Sequence, residues 1–163
     1  MTKLSLSSSF EFESGYQTLL DTVLEEFPKH DCLVKPRSFS NDVGKYEKYF
    51  ENFPQFKEEI DLLIYPPCNE LNFSNFIFFL NPHKNRVHFT MWESTRINDV
   101  FIEQMNNMTA IIVPNQWNKE NFEKQGCEVP IHIVNLFVDT GIFNYQAPVN
   151  KDRFVFGTAN KDP

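Results

Sequence analysis

The segment with the clearest chemical potential follows a predicted strand in the middle of the chain. It reads Trp92-Glu93-Ser94-Thr95-Arg96. Glu93 could act as a general base or accept a hydrogen bond from a ligand hydroxyl, and Trp92 could stack on the apolar face of a sugar. A structural role is the alternative from the residues alone: Glu93 would pair with Arg96, and Trp92 would fill the core.

Three other segments carry polar residues beside predicted strands. Ser14 and Gly15 precede a predicted helix, whose first backbone N–H groups could face an anion such as a phosphate. Asn115 is expected to cap a later helix, with Trp117 packing inward. His132 alternates with apolar neighbours, which is more typical of a structural strand histidine than of a catalyst.

Standard nucleotide-binding and hydrolase signatures are missing from the chain. Neither G-x-G-x-x-G nor G-x-x-x-x-G-K-[ST] occurs, so the usual dinucleotide and P-loop sites are excluded. A small hydrolase would need a nucleophile close to a histidine. The candidates for that alternative are Cys68 or Ser94 near His88.

The elements that would position these residues alternate between strand and helix. Apolar spacing at i, i+3, i+4 and i+7 predicts the helices, and short apolar or alternating runs predict the strands. Such alternation predicts an α/β fold: a Rossmann-like parallel sheet with helices on both faces and a ligand crevice at the carboxyl ends of the strands. The predicted strands are 4–9, 32–35, 61–65, 86–92, 110–113 and 131–134, and the predicted helices are 16–27, 98–108 and 117–124. Residues 41–59 are expected to be helical or irregular, and 76–80 a strand or short helix.

Composition and charge exclude several classes of protein. The 163 residues carry a net charge of -7, which disfavours a nucleic-acid partner, and 41% are hydrophobic, as in globular domains. No apolar run approaches the roughly 20 residues of a membrane span. Three widely separated cysteines and four histidines lack metal-ligand spacing, so we expect no metal site, and free thiols in the cytoplasm.

The second half of the chain resembles the N-terminal domain of a GT-B glycosyltransferase, especially the large retaining family 4. The resemblance rests on an ordered set of segments: Trp92-Glu93-Ser94, residues 110–118, residues 122–126, residues 130–143 and Phe154-Val155-Phe156. It covers roughly residues 86–163. Two positions depart from the family pattern. Asn115 replaces the usual serine, and residues 135–139 lack the usual proline and glycine, so that turn must be shaped differently.

The resemblance implies a division of labour between two domains. The N-terminal domain binds the acceptor, which could be a glycan, a lipid or a small molecule, so peripheral membrane contact fits the scheme. The C-terminal domain, which we expect this chain to lack after its first strand, binds the nucleotide-sugar donor as co-substrate, and the family generally needs no metal. By this resemblance, Glu93 faces the acceptor hydroxyl as the catalytic residue. Trp92, Ser94 and Arg96 line or support the acceptor pocket, and Ser14 and Gly15 approach the donor phosphate.

The expected domain layout follows from the same resemblance. Residues 1–143 form the acceptor-side domain, 144–152 a linker, and 153–163 the first strand of a truncated donor-binding domain. Such a chain should be inactive alone, because transition-state charge must be met from both walls of the cleft. The alternative is a complete, non-catalytic binding or accessory module on the same fold.

Overall fold

A single six-stranded sheet organises the part of the chain that the structure describes. The computed structural model describes residues 1–10, 15–39, 43–51, 56–66 and 85–136. Every strand pair is parallel, and the strand order is β2-β1-β3-β4-β5-β6. The strands are β1 (Thr2–Ser8), β2 (Cys32–Ser38), β3 (Ile60–Ile64), β4 (Asn85–Phe89), β5 (Ala110–Val113) and β6 (Ile131–Ile133). The predicted α/β class with a parallel sheet is confirmed.

The described helices connect or flank these strands. They are α1 (Gly15–Glu26), α2 (Glu47–Glu51), α3 (Asp99–Asn106) and α4 (Gln116–Lys124), with 3-10 turns at Phe27–His30 and Gly44–Tyr46. Pro28 ends α1 as expected, although the chain makes one further 3-10 turn before β2. Gly126 follows α4 with a φ of 100°, which is the left-handed conformation that glycine adopts easily at a helix end.

Hydrophobic side chains fill both faces of the sheet. The neighbouring residues Leu62 and Leu63 of β3 belong to different clusters, because successive strand side chains point to opposite faces. Leu62 packs with α1, whose buried leucines each contribute roughly 1.5–3 kcal/mol of transfer free energy. Leu63 packs with α3 and α4, whose central contacts are Met105 and Phe122. The sheet is therefore rigidly held between helices, as a site at its edge requires.

Two strand predictions need correction. The strand predicted at 86–92 ends at Phe89, so Thr90, Met91 and Trp92 lie beyond β4. The strand predicted at 32–35 runs on to Ser38 through Pro36. A proline is tolerated there because β2 is an edge strand of the described sheet, where a missing N–H need not break a ladder bond. The predicted segment 76–80, the linker and the last strand lie outside the described residues.

Candidate functional site

Two neighbouring cavities open at the carboxyl ends of β1, β3 and β4. The larger has a volume of about 400 Å³, and the smaller about 190 Å³. Both are lined by Tyr16 and Pro66, so we treat them together as the carboxyl-end groove. The other described lining residues are Met91, Trp92, Glu93 and Ser94 in the larger cavity, and Ser8, Ser9, Gln17, Leu20, Ile64 and Tyr65 in the smaller one. This position agrees with the general location of ligand crevices in open parallel sheets.

Glu93 and Trp92 stand on the wall of the larger cavity. Glu93 is exposed, and within the described part of the chain no ion pair joins it to Arg96. Trp92 is half-buried, and its ring meets Phe101 edge-on with centroids 5.6 Å apart. Trp92 thus packs against the core and also lines the cavity, and its stacking on a sugar stays a prediction.

Ser94 and Arg96 have different positions around this cavity. Ser94 lines it, whereas Arg96 is not among its described lining residues. The backbone carbonyl of Arg96 accepts a hydrogen bond of 2.8 Å from the Trp92 indole N–H. Arg96 therefore acts on the cavity through its backbone, by fixing the plane of the indole ring.

A row of amide side chains on α4 and its C-terminal cap holds the segment after β4. We call Asn118, Asn121 and Gln125 the amide row; their i, i+3, i+7 spacing places them on one helix face. The Trp92 backbone N–H donates to Asn118 Oδ1 at 2.7 Å. Asn121 Nδ2 donates to the Ser94 carbonyl at 2.9 Å. The segment is thereby anchored on both sides of Glu93.

The end of the amide row fixes the remainder of the segment. Gln125 Oε1 accepts from the Ile97 N–H at 2.6 Å, and its Nε2 donates to the Thr95 carbonyl at 2.9 Å. The same amide also donates to Asn121 Oδ1 at 2.7 Å, so the row is internally cross-linked. Asn118 and Asn121 are buried, which makes the loss of any of these bonds costly.

Asn115 caps α4 as the sequence predicted, but Trp117 does not pack inward. The Asn115 side chain accepts from the Asn118 N–H at 2.8 Å and from Asn118 Nδ2 at 3.2 Å. The cap is therefore joined directly to the amide row. Trp117 is 45% exposed, because the inward face of the first turn of α4 is occupied by Asn118. The prediction for Trp117 was wrong.

Tyr16 connects α1 to the segment that carries Glu93. Its phenol oxygen accepts a hydrogen bond of 3.3 Å from the Met91 backbone N–H. Burial raises the pKa of Tyr16; the Thr90 hydroxyl and the Met91 N–H lower it, and the Glu93 carboxylate raises it further. The Thr90 hydroxyl is fully buried near the phenol but forms no hydrogen bond of good geometry within the described structure.

His88 has a structural role beneath the groove and does not contact a nucleophile in the described structure. Its Nε2 lies 3.0 Å from the Tyr65 carbonyl, which immediately precedes Pro66. Burial lowers the pKa of His88 to about 4, so the ring is neutral at pH 7 and Nε2–H is the donor. Ser94 makes no hydrogen bond to His88 in the described structure, and Cys68 lies outside it. The hydrolase alternative gains no support from this geometry.

The predicted phosphate loop is described only at its end. Ser14 lies outside the described residues, and Gly15 is the first residue of α1. Gly15 directly precedes Tyr16, which lines both cavities. His132 is an exposed residue of the short strand β6.

The sequence analysis did not identify Tyr16 as a residue of the candidate site. It also missed the amide row, which holds the segment that carries Glu93. The sequence analysis assigned Tyr16 to the apolar face of α1. Tyr16 does pack against the hydrophobic cluster on that face, so the assignment was correct but incomplete. The three amides carried a usable signal, namely uncharged polar side chains repeated on one face of a helix otherwise rich in charge. Buried amides at that spacing must bond to another segment.

Comparison with known proteins leaves the family open. No protein-family model matches the chain, and no curated protein matches it.

Within the described residues, no group of three histidine, cysteine, aspartate or glutamate side chains could hold a metal ion. The helices in the same part of the chain are all too short or too polar to cross a membrane.

Proposed function

We propose that this chain is the acceptor-binding wall of a GT-B glycosyltransferase. The observation that carries the proposal is the carboxyl-end groove, with an acidic side chain (Glu93) and a partly exposed indole (Trp92) on one wall. Carboxylates accept hydrogen bonds from sugar hydroxyls, and aromatic faces pack against the C–H face of a sugar ring. The cavity of about 400 Å³ is of a size that accommodates a small ligand.

In the proposed reaction, the acceptor hydroxyl attacks the anomeric carbon of a nucleotide-sugar held by a second domain. The new bond joins the acceptor oxygen to that carbon, the bond from the carbon to the diphosphate breaks, and the nucleoside diphosphate leaves. Glu93 receives the hydroxyl proton as the bond forms. The chain holds no cofactor in this scheme.

We also propose a cytoplasmic location. The free thiols of Cys32 and Cys127 support it, because thiols stay reduced in that compartment.

Ligand binding to the 163-residue chain tests the acceptor-side assignment. Saturation-transfer difference NMR would use methyl glycosides of glucose, mannose and galactose, with UDP-glucose and GDP-mannose for comparison. We expect at least one methyl glycoside to bind, and Glu93→Gln to weaken it about tenfold, since a charged hydrogen bond is lost. Binding of nucleotide-sugars with no binding of any glycoside would contradict the assignment.

A non-catalytic binding module is the second candidate. It is favoured by Glu93 itself, which makes no hydrogen bond or ion pair within the described structure that would orient it as a base. A transfer assay on the protein isolated at its native length separates the two. The glycosyltransferase requires turnover that Glu93→Gln lowers by about 100-fold or more, whereas glycoside binding without transfer would establish the module.

A further inference from the structure

Tyr16 offers the groove a hydrogen-bond donor in a fixed position. The residue lines both cavities, and the Met91 N–H holds its phenol oxygen at 3.3 Å. That bond occupies an acceptor lone pair and leaves the phenol proton to donate. Because Met91 precedes Trp92 and Glu93 in the chain, the donor is tied to the same segment that carries the carboxylate.

Glu93 offers the complementary acceptor on the same cavity. An ionised carboxylate accepts hydrogen bonds and cannot donate them. Burial raises the pKa of Tyr16 and the Glu93 carboxylate acts in the same direction, so the phenol keeps its proton at neutral pH. The cavity therefore presents one neutral donor beside one charged acceptor.

We propose that Tyr16 and Glu93 together recognise two adjacent hydroxyl groups of one saccharide ring. The phenol donates to the oxygen of one hydroxyl, and the carboxylate accepts from its neighbour. This inference rests on the proposed function and makes Tyr16 a specificity-determining residue of the acceptor site. A site built to pair with a hydroxyl discriminates against the analogue that lacks it, because its own polar group is then left unpaired.

The test compares methyl glycosides with their monodeoxy analogues on two proteins. Tyr16→Phe keeps the ring and removes only the hydroxyl. We expect it to weaken the best-binding glycoside about 3- to 10-fold, and to leave unchanged the binding of the one deoxy analogue that lacks the hydroxyl reached by Tyr16. Tyr49→Phe is the matched control, since the Tyr49 hydroxyl contacts Glu25 on the exposed surface at 3.3 Å. It should have no effect on binding.

Wild-type protein gives a second readout that needs no variant. It must lose affinity for two monodeoxy analogues whose missing hydroxyls are on adjacent carbons. Discrimination at a single position, or at two separated ones, would overturn the inference even if Tyr16→Phe failed to fold. Equal weakening of every analogue by Tyr16→Phe would overturn it too. Failure of all glycosides to bind wild type would instead refute the proposed function itself.

Discussion

The segments that follow β4 and β5 begin at the same edge of the sheet and differ in what they do there. Residues 90–98 separate β4 from α3, whereas only Pro114 and Asn115 separate β5 from α4. The short turn uses its one polar side chain to cap α4. The long segment also caps its helix, since the Asn98 side chain accepts from the Val100 N–H, but the residues before Asn98 are held by the amide row.

The comparison extends to the two tryptophans of the chain. Trp92 has its backbone N–H bonded to Asn118 and its indole N–H bonded to Arg96, and it lines the larger cavity. Trp117 follows the next strand at a similar distance but lies in the first turn of α4, and it is exposed. A position at the carboxyl end of a parallel strand is thus insufficient to make a site. What distinguishes the β4 segment is a neighbouring helix that satisfies its backbone, while the side chains of Trp92, Glu93 and Ser94 line the groove.

Replacing each tryptophan by alanine should separate the two segments most strongly. Trp92→Ala removes a half-buried ring that packs against Phe101, and we expect a loss of about 3 kcal/mol in the free energy of unfolding. Trp117→Ala should change it by about 0.5 kcal/mol or less. Urea denaturation monitored by circular dichroism measures both, and equal losses would remove the distinction.

Acid should destabilise the β4 side of the sheet through His88. Its folded pKa of about 4 lies below the unfolded value, so the unfolded chain binds the proton first and stability falls as the pH drops from about 6.5 towards 4. Between pH 7 and pH 5 this group alone should cost about 2 kcal/mol. In His88→Gln, the loss of unfolding free energy between pH 7 and pH 5 should be smaller than in wild type by this amount of about 2 kcal/mol. Denaturation curves at the two pH values provide the measurement, and identical losses in both proteins would contradict the account.

The amide row can be tested at Asn118. Asn118→Ala leaves the Trp92 N–H without its acceptor, and we expect a loss of about 1–2 kcal/mol together with weaker glycoside binding. Glu120→Ala, on the same helix with an exposed side chain, is the control and should be near neutral. If both variants had the same stability as wild type, the amide row would not anchor the segment.

The cap of α4 should have the smallest effect. Asn115→Ala should cost about 1 kcal/mol, whereas Asn115→Ser retains a capping oxygen and should be nearly neutral. Thermal denaturation of the two variants beside wild type measures the difference. A serine variant as unstable as the alanine variant would show that Asn115 acts mainly through its contact with Asn118 Nδ2 and not as a cap.

Local sequence signals predicted the strands of the sheet and the α4 cap, because each depends on residues close together in the chain, whereas the end of β4 was predicted three residues too late. The apolar run before Pro114 and the Asn115 cap are examples. Contacts between distant segments were not predictable in the same way. Tyr16 and Met91 are 75 residues apart, and Trp92 and Asn118 are 26 apart. The sequence pattern assigned Tyr16 to the core and Trp117 to the inward face of α4. Such a pattern cannot show which of two neighbouring side chains, for example Asn118 or Trp117, occupies the inward face.

The most direct test of the groove as a saccharide site uses the two indole N–H signals of the 15N-labelled chain, assigned with Trp117→Phe. Increasing methyl glycoside should shift the Trp92 signal along a saturable curve and leave the Trp117 signal in place, because only Trp92 lines the larger cavity. A shift of Trp117 without Trp92, or no shift of either with any of the glycosides, would contradict the account.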